Sequence, residues 1–176
     1  MRVGILGVDA RGVQLAQMLL RAGHVVTLSD PVDAERAQRA ANGVAGASAV
    51  ALADQVRLSD ILVFMIRSQE IDRAIDALGR VDGPVIVETS RPAADGSMPS
   101  VAEQLVQRLG TSRIVKTLTQ ALEPGEAVLV AGDDADAKRI VSEVIASIGM
   151  RPVDAGMLLQ ARRMESATAT ADPIMQ

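Results

Sequence analysis

Short, continuously apolar runs alternate with amphipathic stretches along nearly the whole chain, and this alternation restricts the fold more than any other feature. The runs are Arg2–Leu6, His24–Leu28, 60–66 (DILVFMI), 84–88 (PVIVE), 113–118 (RIVKTL) and 126–132 (EAVLVAG). A strand that is apolar at consecutive positions, rather than at every second one, is covered on both faces, as strands of a parallel sheet are. Between the runs lie stretches with helical spacing: Gly12–Arg21, Asp33–Ala41, 51–57, Gln69–Leu78 and Val101–Leu109. A last long helix starts at a cap on Asp133 or Asp134 and runs through Ile148, with Ile140, Val141, Val144, Ile145 and Ile148 on one face. Shorter elements are expected as a strand near Val44–Ala47, a strand within 150–156 and a helix over Met157–Ser166. Strand and helix in alternation predict an α/β fold, a Rossmann-like, doubly wound and mostly parallel sheet with helices on both faces. No repeat or linker divides the chain. A single domain is expected over 1–166, with 167–176 a loose C-terminal extension.

Composition removes several chemistries. With 176 residues, 48% of them hydrophobic, the chain can bury a sizeable core. It has no cysteine, which excludes disulfides, thiolate zinc sites and a cysteine nucleophile. The net charge is −4 and Phe64 is the only aromatic residue, so neither a basic footprint nor a stacking platform for nucleic acid exists. One histidine, His24, leaves no Ser-His-Asp relay and no histidine metal cluster; it is expected to be structural. No carboxylates have metal-ligand spacing. The apolar start, Val3–Val8, is too short for a signal peptide, and no run approaches a membrane span, so a cytoplasmic protein is expected.

In a doubly wound sheet, ligands bind beyond the carboxyl ends of the strands, where the strand order reverses. Four loops therefore matter. In the first, GVDARG, Gly7 permits a tight turn out of the strand and Gly12 lets the helix lie close to the sheet. The helix start then offers N–H groups, near Val13, and a positive dipole end to a phosphate. Between the glycines stand Val8, Asp9 and Arg11. Asp9 occupies the position where glycine normally admits a pyrophosphate; a carboxylate at about 5 Å from a phosphate charge would cost about 3 kcal/mol at an effective dielectric near 20. Arg11 offsets that charge, by pairing with Asp9 or by meeting the phosphate, or else is a solvated residue of the helix start.

In the second loop, Ser29 and Asp30 end the second strand. Asp30 lies 23 residues after Gly7, close to the usual spacing for an acid that binds an adenosine ribose. Such an acid favours an unphosphorylated ribose; alternatively, Asp30 simply begins a turn before Pro31. The third loop puts Arg67 and Ser68 where a nicotinamide ribose or a second ligand would pass, and the fourth offers Thr89, Ser90 and Arg91 nearby; Ile66, Arg67 and Thr89 would border the nicotinamide side. Arg67 and Arg91 either hold an acidic ligand together or are ordinary exposed arginines. Lys116, one of only two lysines, ends a strand, which invites a catalytic reading; a strand-edge lysine at the surface is the expectation preferred to it.

The segments MRVGILG…RGVQLAQMLLRAGHVVTLSD, VDGPVIVETSRP, RIVKTLTQAL and VLVAGDDADAKRIVSEVIASIGMRPVDAGMLLQARRMES resemble the NADP oxidoreductases that use the deazaflavin coenzyme F420. The resemblance runs in order over nearly the whole chain. It implies a Rossmann domain that binds NADP or NAD, a deazaflavin stacked on the nicotinamide, and hydride transfer that depends on positioning more than on an acid or base. Several ligand-side positions depart from that family: Val8 and Asp9 in the turn, Pro31 where an arginine reads the 2′-phosphate, Arg67 for a proline beside the nicotinamide, and Thr119 for an asparagine. Two functions are therefore expected in competition. One is a reductase moving a hydride between a nicotinamide cofactor and F420 or another small acceptor. The other is a catalytically silent Rossmann-derived module that binds a dinucleotide weakly or not at all and acts through a protein partner. Self-association as a homodimer is expected for either, because apolar surface near the C-terminus needs a cover.

Overall fold

A computed structural model describes residues 1–90, 100–120 and 122–164. Its centre is an eight-stranded sheet in the order β3-β2-β1-β4-β5-β6-β7-β8. The strands are β1 (Arg2–Leu6), β2 (Val25–Ser29), β3 (Ala47–Ala49), β4 (Ile61–Phe64), β5 (Val85–Glu88), β6 (Ile114–Lys116), β7 (Ala127–Gly132) and β8 (Arg151–Gly156). From β3 to β6 all neighbours are parallel; β7 returns antiparallel to β6, and β8 runs parallel to β7. The expected doubly wound α/β sheet is thus present, extended by an antiparallel turn-back. Among the described residues between β6 and β7 there is no helix, and a parallel crossover needs one or a connection of similar length.

Among the described residues, helices α1 (Ala10–Arg21), α2 (Ala34–Asn42), α3 (Gln55–Leu58), α4 (Ile71–Leu78), α5 (Val101–Leu109) and α6 (Ala135–Ser147) complete the frame. Strand alternation divides the core in two. On one face, Val3, Ile5, Val63 and Val87 pack with Leu15 and Leu19 of α1 and Val141 and Ile145 of α6. On the other, Leu62, Phe64, Ile86 and Ile114 pack with Ile71 and Ile75 of α4 and Leu105 and Leu109 of α5. Ile140 and Val144 of α6 are only partly buried against the first core. Burying consecutive positions on opposite faces is what the unbroken apolar runs require.

The deviations from the expected boundaries have local causes. Helix α1 begins at Ala10 rather than Gly12 because Asp9 caps it. Strand β3 starts at Ala47; Val44 lies in the turn before it, where its carbonyl accepts the Ala47 N–H at 3.0 Å and Gly46 has φ +93°. The stretch 51–57 is a 3-10 turn (Leu52–Asp54) followed by α3, and Ser68–Glu70 forms a 3-10 turn before α4. Asp134 is the cap of α6, while Asp133 accepts the Leu158 N–H at 2.9 Å. After β8 come a 3-10 turn (Leu158–Gln160) and a helical turn over 161–164. Arg91 to Pro99 and the expected tail 167–176 lie outside the described residues. Among those residues no helix is long and apolar enough to cross a membrane.

Candidate functional site

The strand order reverses between β1 and β4, and the site lies at their carboxyl ends. Leu6, Phe64, Glu88 and Lys116 are neighbours in register across β1, β4, β5 and β6, with Ser29 of β2 beside Leu6. Just beyond this row is a cavity of about 350 Å³ lined by Asp9, Arg11, Met65, Ile66, Arg67, Gln69, Thr89 and Ser90. Three of the four loops singled out in the sequence, after β1, β4 and β5, therefore meet at one place.

The first loop is built as the glycines require. Gly7 has φ +104°, and a Cβ there would lie 2.1 Å from the Met65 carbonyl oxygen. A Cβ on Gly12 would lie 2.2 Å from the Gly7 carbonyl oxygen, so only glycine lets α1 approach the end of β1 this closely. Asp9 does not project as a bare charge. Its Oδ1 accepts the Gly12 N–H at 2.9 Å, and its carbonyl accepts the Val13 N–H at 3.0 Å. The helix start is capped by its own carboxylate, in the place where an external anion would bind. Val8 is half-buried against the first core.

Arg11 is neither solvated nor confined to the turn. It reaches across to the segment after β6, donating through Nη2 to the carbonyls of Leu118 at 2.6 Å and Gln120 at 3.1 Å. Leu118 has φ +52°, an uncommon conformation for a branched side chain, and Arg11 braces it. Arg67 stands exposed at the rim, where Glu70 accepts from its guanidinium and its backbone N–H, both at 3.1 Å. Ile66 is buried in the cavity wall. Thr89 donates its hydroxyl to the Phe64 carbonyl at 2.8 Å.

The second loop stands apart from the cavity lining. Ser29 is buried; its hydroxyl donates to the Val50 carbonyl at 2.9 Å and accepts from Gln55 Nε2 at 2.7 Å. Asp30 Oδ1 accepts the N–H groups of Val32 and Asp33, both at 2.9 Å, so the carboxylate does form the turn around Pro31. Its Oδ2 lies 3.4 Å from Arg36 Nη1. The charge that would repel a 2′-phosphate is therefore matched by an arginine at the same strand end.

Lys116 corrects the sequence expectation outright. It is fully buried, as is Glu88, and the two form an ion pair at 2.5 Å. The apolar strands on which they stand carry them inward, and each supplies the charge that the other needs there. Opposite charges ending two adjacent buried strands, PVIVE and RIVK, were the signal in the sequence. His24 behaves as expected: it sits at the amino edge of the sheet, sharing a 2.9 Å hydrogen bond with Ser147 Oγ. Burial and the nearby N-terminal ammonium hold its imidazole below the usual histidine range. Among the described residues no group of three metal-ligating side chains occurs.

No family model matches the chain. It is 27% identical over 178 residues to the metalloreductase STEAP3 of Rattus norvegicus, an alignment covering 94% of this chain and 36% of the relative, so the chain spans about a third of that protein. Among solved structures it is similar to a protein of Arthrobacter sp. FB24 provisionally named an F420-dependent NADP-reductase, with TM-score 0.77, 22% identity and coverage of 96% of this chain and 90% of that one. It is also similar to a reductive aminase of Aspergillus terreus in complex with NADPH and ethyl-5-oxohexanoate, with TM-score 0.73, 17% identity and coverage of 96% and 60%. The chain therefore has the Rossmann-like fold of the reductases that its sequence resembles.

Proposed function

We propose that the cavity binds a nicotinamide dinucleotide, NADPH or NADH, and that the chain is a reductase passing hydride between the nicotinamide and a small acceptor, a deazaflavin of the F420 type foremost. One observation carries the reading: a turn in which only Gly7 and Gly12 fit opens a cavity at the point where strand order reverses. NADPH is named because the Aspergillus relative binds it, and F420 because the Arthrobacter relative is named for it.

The residues present fit such a cofactor. The backbone around Gly7, Val8 and Gly12 would hold the pyrophosphate, with the Gly12 N–H, now bonded to Asp9, as one of its donors. Val13 fixes the first turn of the helix behind it. Arg11, held over the cavity by the Leu118 and Gln120 carbonyls, supplies positive charge that offsets Asp9. Asp30 and Ser29 shape the ribose end, with Arg36 beside them. Met65, Ile66 and Thr89 form the wall for the nicotinamide, and Arg67 stands at the rim toward the acceptor. When bound, the nicotinamide supplies the hydride; the chain's part is to orient two rings and exclude water. A homodimer would cover the apolar side chains of Leu129, Val153, Met157 and Leu159, which are all exposed.

The test is NADPH oxidation measured with oxidised F420, with cyclic imines and with small ketones as acceptors. Turnover with F420 alone supports the full reading. Turnover with imines or ketones only replaces the deazaflavin, and none with any acceptor removes the reductase.

A further inference from the structure

Two hydroxyls stand at the β5 end of the cavity, and they differ in one respect. Thr89 has already donated its proton to the Phe64 carbonyl. Ser90 is only 6% exposed, and its Oγ has no hydrogen-bond partner among the described residues. A buried hydroxyl without a partner is costly, and few are found in folded proteins. This one belongs to a residue that lines the cavity.

The backbone of Ser90 is held firmly while its hydroxyl is left over. Glu88 Oε1 accepts the Ser90 N–H at 2.5 Å, Glu88 Oε2 accepts from Lys116 Nζ at 2.5 Å, and Lys116 Nζ also donates to the Ser90 carbonyl at 2.7 Å. These three bonds close a ring inside the protein, where neither charge meets water. The phosphate-side turn, with Asp9 and Arg11, lies across Met65 and Ile66 from this ring.

We propose that Ser90 reads the carboxamide of the nicotinamide, turning about its side-chain bond to present the buried hydroxyl to the ligand, and that Glu88 and Lys116 are positioning residues that hold its backbone at the cavity wall. The proposal rests on the dinucleotide reading above. A carboxamide both donates and accepts, and a hydroxyl matches either group. The apolar side chains of Met65 and Ile66 suit the ring between carboxamide and phosphates.

The test is calorimetric binding of NADPH and of 2′-phospho-ADP-ribose, the same molecule without its nicotinamide; NADH and ADP-ribose form the unphosphorylated pair. Ser90→Ala is expected to weaken dinucleotide binding roughly tenfold, the size of one good hydrogen bond, and to leave the fragment unchanged. The double variant Glu88→Gln/Lys116→Met removes both charges together and should show the same selective loss with Ser90 still present. If it does not fold, Ser90→Cys, which keeps the shape of the side chain but offers only a weak hydrogen-bonding group, reads the same ratio and should lose the dinucleotide as Ser90→Ala does. Equal losses for dinucleotide and fragment, or no loss for either, would overturn the proposal. A wild-type chain that binds neither ligand fails differently: it refutes the dinucleotide site itself, and the role of Ser90 falls with it.

Discussion

The Asp9 carboxylate accepts the Gly12 N–H at 2.9 Å, so the residue that departs from the glycine-rich turn also occupies its anion position. Asp9 is both a helix cap and a competitor for phosphate. Asp9→Gly should therefore tighten dinucleotide binding by one to two powers of ten, if the roughly 3 kcal/mol repulsion is largely removed. Stability should fall by only a few tenths of a kcal/mol, because glycine is itself an acceptable cap. Paired binding and thermal-melting measurements check both halves. Unchanged affinity would mean that the turn does not face a phosphate.

Gly12→Ala tests the frame rather than the charge. Its Cβ would lie 2.2 Å from the Gly7 carbonyl oxygen, a backbone atom that no rotamer change can move aside. A loss of about 3 kcal/mol in stability is expected from such overpacking, with binding abolished in whatever fraction folds. Urea unfolding measures it, and a fully stable variant would contradict the close approach of α1.

Arg36 should decide between the two dinucleotides. Asp30 spends Oδ1 on two backbone N–H groups and lies 3.4 Å from Arg36 through Oδ2, so arginine and carboxylate nearly cancel at the end of β2. Removing the cation leaves the acid. Arg36→Ala is expected to weaken NADPH roughly tenfold relative to NADH, as a lost charge-assisted contact would. An unchanged ratio would place the 2′-phosphate elsewhere.

Acid should loosen the helical turn over 161–164 from α5. Arg162 grips Glu103 with two hydrogen bonds, at 2.7 and 2.9 Å, and these bonds, against the push of burial and with help from Ser100, pull the Glu103 carboxyl down to about 2. A depressed carboxyl stabilises the fold above its unfolded value of 4.5, and the contribution disappears as pH falls from there to about 2. Arg162 is more than a third exposed, so solvent screening reduces the contribution to about 1 kcal/mol. Arg162→Ala should flatten this part of the stability profile between pH 5 and 2, read by urea unfolding at several pH values; an unaltered profile would show that the pair contributes nothing.

The sequence made the frame legible because burial on both faces leaves an unbroken apolar run, as at ILVF in β4 and VIVE in β5. It also placed Gly7 and Gly12 correctly, since close backbone approach leaves few alternatives to glycine. What it could not show depended on side chains meeting across strands. Lys116 reads as a surface lysine until register sets it beside Glu88. Ser90 and Thr89 look equivalent until one hydroxyl is found bonded to Phe64 and the other unpartnered among the described residues. Arg11 gives no sign, within its own loop, of the carbonyls of Leu118 and Gln120 that it holds.

The most direct measurement is a calorimetric titration of the purified chain with NADPH and NADH. Saturable one-site binding, tightened in Asp9→Gly and lost in Gly12→Ala, is the result expected of a pyrophosphate cradle between β1 and α1. No heat at millimolar concentration of either dinucleotide, in both the wild type and Asp9→Gly, would contradict it.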